Sequence, residues 1–204
     1  VNYNITIGRN SVDQINFPRQ GSNFLLTLKL SPPYSMFDDI DDYTSLTDQE
    51  KYKWVEYYKW KFKATWFSPF TEKLILATKT EFGFLGAYNQ ELGISPFERF
   101  YVGGDGLSGM GYMNDGRELV ALRGYSNNSL SPQTGATIYN KYTAEIRYAL
   151  SLNPTSTMYA LAFLEAGNAW EEFDNFNPFG VKRSVGIGVK IMLPMIGMMG
   201  LDYG

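Results

Sequence analysis

The sequence predicts an all-β protein of the transmembrane antiparallel β-barrel class, and a few observations lead there. Eight segments alternate apolar and polar residues with a period of two, the signature of strands with one oily face. Aromatics make up 16% of the 204 residues, with 15 Tyr and 14 Phe, while no helical periodicity is sustained. No run of 18 or more apolar residues occurs, so no transmembrane helix is expected.

Composition narrows the function as well. A net charge of -3, evenly mixed along the chain, offers no basic groove, and no nucleic-acid partner is expected. Cysteine and histidine are both absent, which removes disulfides, thiolate chemistry, Cys/His zinc sites and every triad that needs an imidazole. The chain therefore reads as a non-enzyme with no catalytic residues, no metal and no cofactor. Val1 begins inside a strand pattern rather than a signal peptide, so the sequence reads as an internal piece of something longer.

The strands follow in order. Over residues 2–8, Tyr3, Ile5 and Ile7 alternate with Asn2, Asn4 and Thr6, and 10–21, with Pro18 and Gly21, is a turn. Residues 21–31 set Phe24, Leu26, Leu28 and Leu30 against Asn23, Thr27 and Lys29 until Pro32 and Pro33 end the strand. Residues 31–56 form a long acidic loop. Adjacent carboxylates from Asp38 to Asp42 suit Ca²⁺, but their spacing is not an EF-hand's, so a solvated loop is expected. Thr47 and Glu50 match a capping box, which predicts a short helix over about 48–55.

The clearest strand comes next, with Tyr58, Trp60, Phe62, Ala64 and Trp66 on one face and Lys59, Lys61, Lys63 and Thr65 on the other. In a barrel the aromatic face meets lipid and the lysines line a wet lumen. After a Ser68-Pro69 turn, 74–85 repeats the pattern, with Leu74, Leu76, Phe82 and Phe84 opposite Lys79 and Glu81. Alternation resumes at 141–150, where Tyr142, Ala144, Ile146, Tyr148 and Leu150 oppose Lys141, Thr143, Glu145 and Arg147. An Asn153-Pro154 turn leads to 158–170. There Met158, Ala160, Ala162, Leu164 and Ala166 make the apolar face, which turns Phe163, Glu165 and Gly167 inward. A lone acid in that position needs a partner or water. A last hairpin, 182–193 and 197–203, points Val185, Ile187, Val189, Ile191 and Leu193 outward and Ser184, Gly186, Gly188 and Lys190 inward.

Residues 95–137 are the exception, rich in glycine and without long alternation. Gly104-Asp105-Gly106-Leu107-Ser108-Gly109 satisfies the dinucleotide-binding spacing, but no helix follows and no βαβ unit surrounds it, which excludes that reading. At the base of the segment stands Leu122-Arg123-Gly124-Tyr125. Glycine directly after Arg123 lets the backbone turn tightly and aim the guanidinium sideways. Elsewhere an Arg-Gly pair is commonly a solvated turn.

These motifs carry a resemblance. The segment from Phe97 to Gly104 resembles the approach to the sixth extracellular loop of the outer-membrane protein assembly factors (the BamA-type family), and Leu122-Arg123-Gly124-Tyr125 resembles the motif at that loop's tip. Phe163, Glu165 and Gly167 resemble a strand motif that has Asp where this chain has Glu165. Residues 185–203 are similar to the penultimate hairpin. A second departure is length, since about eighteen residues from Asp105 to Leu122 separate the glycine pair from the arginine motif.

The resemblance implies that residues 1–204 are part of a single outer-membrane β-barrel domain of about sixteen strands, with the loop 95–137 folded inward. It implies that Arg123 bonds Glu165 on the inner wall, and that reversing the two charges partly restores what Arg123→Glu loses. It also implies a protein in the outer membrane of a diderm bacterium that folds and inserts β-barrel precursors. Its partners would be outer-membrane lipids, unfolded precursors and accessory assembly lipoproteins. A translocation pore of the two-partner secretion type and a passive porin-like barrel are the alternatives.

Overall fold

The computed structural model describes residues 2–38, 40, 43, 45–89, 91–106, 117–153 and 156–204. Eight strands form one antiparallel sheet in the order β1 (Tyr3–Asn10), β2 (Gly21–Leu30), β3 (Tyr58–Pro69), β4 (Leu74–Gly86), β7 (Ile138–Asn153), β8 (Ser156–Trp170), β9 (Lys182–Leu193) and β10 (Gly197–Tyr203). A parallel pair, β5 (Phe100–Val102) and β6 (Glu118–Val120), belongs to the segment between β4 and β7. No helix among the described residues is long and apolar enough to cross a membrane.

Strand register sorts the side chains as the alternation predicts. Lys29 stands opposite Lys59 and Thr27 opposite Lys61, so the polar rows of β2 and β3 share a face, while Leu28 pairs Trp60 on the other. Across β7 and β8, Thr143 meets Glu165 on that inner face and Ala144 meets Leu164 outside. The outer face is oily and exposed along its length, from Tyr3, Ile5 and Ile7 through Trp60 and Leu164 to Val185 and Leu201. A band of this kind is stable only against hydrocarbon or another apolar surface.

The inner face is less uniformly wet than the alternation suggests. Phe17, Ile75, Ala149, Tyr159, Leu161 and Phe163 form a buried apolar cluster there. Phe17 belongs to the β1–β2 connection, yet its ring lies 5.2 Å from that of Tyr159 on β8. The predicted turn therefore reaches across the inner side of three intervening strands, β3, β4 and β7. Strand parity turns Tyr159, Leu161 and Phe163 inward, and Phe17 of that connection covers Tyr159 while Arg123 of the long β4–β7 segment covers Phe163, so burial replaces the water expected of a lumen.

Several boundaries also move. Helix α1 (Asp48–Lys51) stops well short of residue 55. Thr47 donates from both its amide and its hydroxyl to the Glu50 carboxylate, so the capping signal holds. Beyond it the chain is tied to the segment that follows β2, with Val55 accepting from the Ser31 hydroxyl and Glu56 from Ser35. Pro69 continues β3, pairing Ile75, and the turn falls after it. Leu150 is an extra residue where the β7–β8 register shifts. Within the acidic cluster Asp39, Asp41 and Asp42 lie outside the described residues, as do Pro154 and positions 107–109 of the glycine motif.

Candidate functional site: the loop fastened to the inner wall

Local chemistry builds the base of the long loop. Leu122 is fully buried in a cluster with Tyr57, Leu85, Phe100, Val102 and Tyr139, between the loop and the wall. Its amide donates to the Gly104 carbonyl at 3.1 Å, and the Gly104 amide donates to the Tyr125 carbonyl, also at 3.1 Å. The long excursion after Gly104 is thus closed at its root, and the extra length leaves the arginine motif in place. Gly124 has φ +83°, a left-handed conformation that a side chain would strain, and it turns the chain immediately after Arg123. Tyr125 then reaches the Arg183 carbonyl through its hydroxyl at 2.8 Å.

Arg123 sits at the centre of a charge cluster. Its backbone amide donates to Glu165 Oε2 at 2.8 Å, while Nε and Nη2 both donate to Glu165 Oε1, at 3.0 and 2.7 Å. Nη2 also reaches Glu145 Oε1 at 2.7 Å and Nη1 reaches Asp202 Oδ2 at 3.2 Å. The guanidinium carbon lies 3.7 Å from the centre of the Phe163 ring, so one face is stacked while the edge is hydrogen bonded. Burial alone lowers the proton affinity of Arg123, but the adjoining carboxylates more than reverse it, and its charge is fixed at any working pH.

The carboxylates have cations of their own. Lys141 Nζ lies 3.1 Å from Glu165 Oε1 and donates to the Ala121 carbonyl at 2.6 Å, tying wall to loop a second time. Arg147 forks onto Glu145 at 2.9 and 2.7 Å, and Lys190 meets Asp202 at 2.7 Å. Gly167 has a steric role. A methyl there would lie 2.7 Å from the Asn140 carbonyl oxygen and 2.8 Å from Leu122 Cδ1, against the residue that seats the motif.

The motif residues Leu122, Arg123, Gly124 and Tyr125 and the wall residues Phe163, Glu165 and Gly167 therefore meet in one place. Glu145 and Asp202 join them. Their inward parity on β7 and β10 is the only signal the sequence holds for either.

A separate grip holds the other flank of the loop. Lys59 on β3 is 1% exposed. Its ammonium donates to the Glu98 carbonyl at 2.7 Å and pairs with Glu98 Oε2 at 3.3 Å and Glu118 Oε2 at 2.7 Å, and it lies 4.5 Å from the Phe100 ring centre. Lys29 also pairs with Glu98, and Lys61 with Glu118 at 2.9 Å. Burial raises the Glu98 carboxyl, but Lys29 and Lys59 outweigh it and hold it below its ordinary value. Lys59 and Lys61, predicted to face open water, instead clamp the N-terminal ends of both strands of the β5–β6 pair.

A sheet with a lipid-facing band outside, ion pairs inside and a long loop pinned to the inner wall is the wall of an outer-membrane β-barrel. The chain belongs to the Omp85 superfamily, whose domain matches residues 1–204. Among solved structures it is similar to BamA from Haemophilus ducreyi lacking POTRA domains 1–3, at 18% identity and a TM-score of 0.65 over 98% of this chain. The likeness is one of fold, and the chain spans 38% of the length of that BamA. No curated protein matches.

Proposed function

We propose that this chain is part of a single barrel domain of an outer-membrane protein assembly factor in a diderm bacterium, with residues 95–137 folded inward. In this reading it folds and inserts β-barrel precursors. The observation that supports it most is the fastening of Arg123 to Glu165, Glu145 and Asp202 in a chain of the Omp85 superfamily. A precursor strand entering a bilayer carries unsatisfied backbone groups unless a strand edge pairs with them on the way. That work needs no nucleophile and no ATP. What it needs is a wall stiff enough to present an edge, and a loop pinned across the inner face from both flanks stiffens the wall. Outer-membrane lipids, unfolded precursors and accessory lipoproteins are the partners this reading names.

The test is reconstitution of the full-length protein into liposomes with an urea-denatured outer-membrane barrel. Insertion, read by heat-modifiable gel mobility and protease protection, is expected with the unaltered protein and slowed in Arg123→Ala. Transfer of a secreted protein into the vesicle interior, with no gain in barrel insertion, would instead identify a translocation pore. A plain solute leak without either would identify a porin-like barrel.

A further inference from the structure

The connection between β8 and β9, residues 171–181, does not rise away from the barrel rim. It folds back over the outer face of the wall. Ile138 and Asn140 on β7 have the outward parity of Tyr142, Ile146 and Tyr148, yet Ile138 is buried and Asn140 is wholly inaccessible. The cover is the connection itself. The Asn140 amide donates to the Pro178 carbonyl at 2.9 Å, and Asn168, its cross-strand neighbour, donates to the Gly180 carbonyl at 2.7 Å. Outward-facing amides on a lipid-exposed wall would be costly. Here they tie the connection down.

Aromatic rings complete the attachment. Phe173 packs edge-on against Phe84 of β4 at 5.7 Å, and Phe176 packs edge-on against Trp170 at 5.0 Å. Phe173 is nevertheless 66% exposed and Phe179 86% exposed, both beside the oily outer band at the end of the sheet that carries the long connections. Glu171, at the inner root of the connection, pairs with Arg99 at 3.6 Å, and its backbone carbonyl accepts from the Thr137 hydroxyl at 2.7 Å. The connection therefore has a polar root on the rim and an aromatic underside on the wall.

We propose that residues 171–181 form a membrane-contact flap, with Phe173 and Phe179 inserted at the headgroup and acyl boundary of the outer leaflet. The occupant follows from continuity, because these rings extend the surface that faces hydrocarbon and lie at the end whose long connections face outward in barrels of this kind. Aromatic side chains favour that depth, where a ring replaces water with lipid without losing a polar neighbourhood.

Site-directed spin labelling of the full-length protein in phosphatidylcholine/phosphatidylglycerol nanodiscs tests this. This chain has no cysteine, so Phe179→Cys places the only label within it. Ile187→Cys on the lipid-facing side of β9 and Gln49→Cys on α1 give the hydrocarbon and water references. The ratio of oxygen to nickel-chelate collision rates at position 179 is expected several-fold above that at 49 and below that at 187. A value matching position 49 overturns the proposal. Asn140→Ala cuts the tie to Pro178 and is expected to raise label mobility and lower the ratio at 179. An unchanged ratio there means that the flap is not what holds the ring in the membrane, and also counts against the proposal.

Discussion

The two grips on the long loop use the same ions in opposite arrangements. In one, a guanidinium from the loop enters a wall of carboxylates, and the most deeply buried charge is Glu165 of the wall. In the other, carboxylates from the loop surround wall ammonium groups, and the most deeply buried charge is Lys59. The first is centred on a single planar fork that touches three strands at once. The second is redundant, since Glu98 keeps Lys29 and Glu118 keeps Lys61 if Lys59 is lost. One grip should therefore lose most of its hold with a single side chain and the other only by degrees.

The largest effect is expected from Arg123→Ala, which removes four guanidinium hydrogen bonds while Lys141, Arg147 and Lys190 stay on the three carboxylates. Each hydrogen bond to a charged group contributes about 1.5–3 kcal/mol. The loss should appear as a lower urea midpoint in detergent and faster proteolysis within residues 95–137. The charge reversal Arg123→Glu with Glu165→Arg, a natural rescue when only two residues are considered, is now expected to stay as defective as Arg123→Glu alone. The new glutamate would face Glu145 and Asp202, and the new arginine would lie against Lys141. Restoration to half or more of normal insertion would show that Glu165 alone carries the grip.

Gly167→Ala is expected to cost about 1–3 kcal/mol, since the added methyl presses on Leu122 and shifts Arg123 without touching its charge. A stability change with no change in loop protection would separate packing from latching. Glu98→Gln should cost about 1 kcal/mol, the net worth of a typical hydrogen bond, because Lys59 retains Glu118. Acid should act on the same grip. The Glu98 carboxyl is depressed in the fold, so its contribution is complete above its ordinary value and is lost as pH falls through the lowered one. Loop protection in Arg123→Ala should therefore fall further as the pH is taken into the acid range. The smallest effect is that of salt, which should weaken the half-exposed Lys61–Glu118 pair by less than about 1 kcal/mol and leave the Arg123 grip unchanged.

What the sequence shows of this fold follows from the lipid. A strand with hydrocarbon on one side must alternate, so β3, β4, β7, β8 and β9 are visible residue by residue, and so is the inward aim of Glu165. Contacts between distant segments carry no such signature. Nothing local in the lysine row of β3 distinguishes a wet lumen from a clamp, because Glu98 and Glu118 lie 39 and 57 residues from Lys59 and Lys61. Phe17 is a single aromatic in a polar turn, and only the curl of the sheet brings it to Tyr159. Asp202, between Leu201 and Tyr203, has the right parity to face inward. Its partner on the loop, Arg123, is 79 residues away.

Because Glu145, Glu165 and Asp202 stand on three separate strands, the guanidinium they share also acts as a proofreader of alignment. A slip of one position along any of those strands would swing its acid from the interior into hydrocarbon and empty one prong of the fork. The wall can thus close around Arg123 only when β7, β8 and β10 are all in step, and a misthreaded barrel would be recognisable by a loop that never docks.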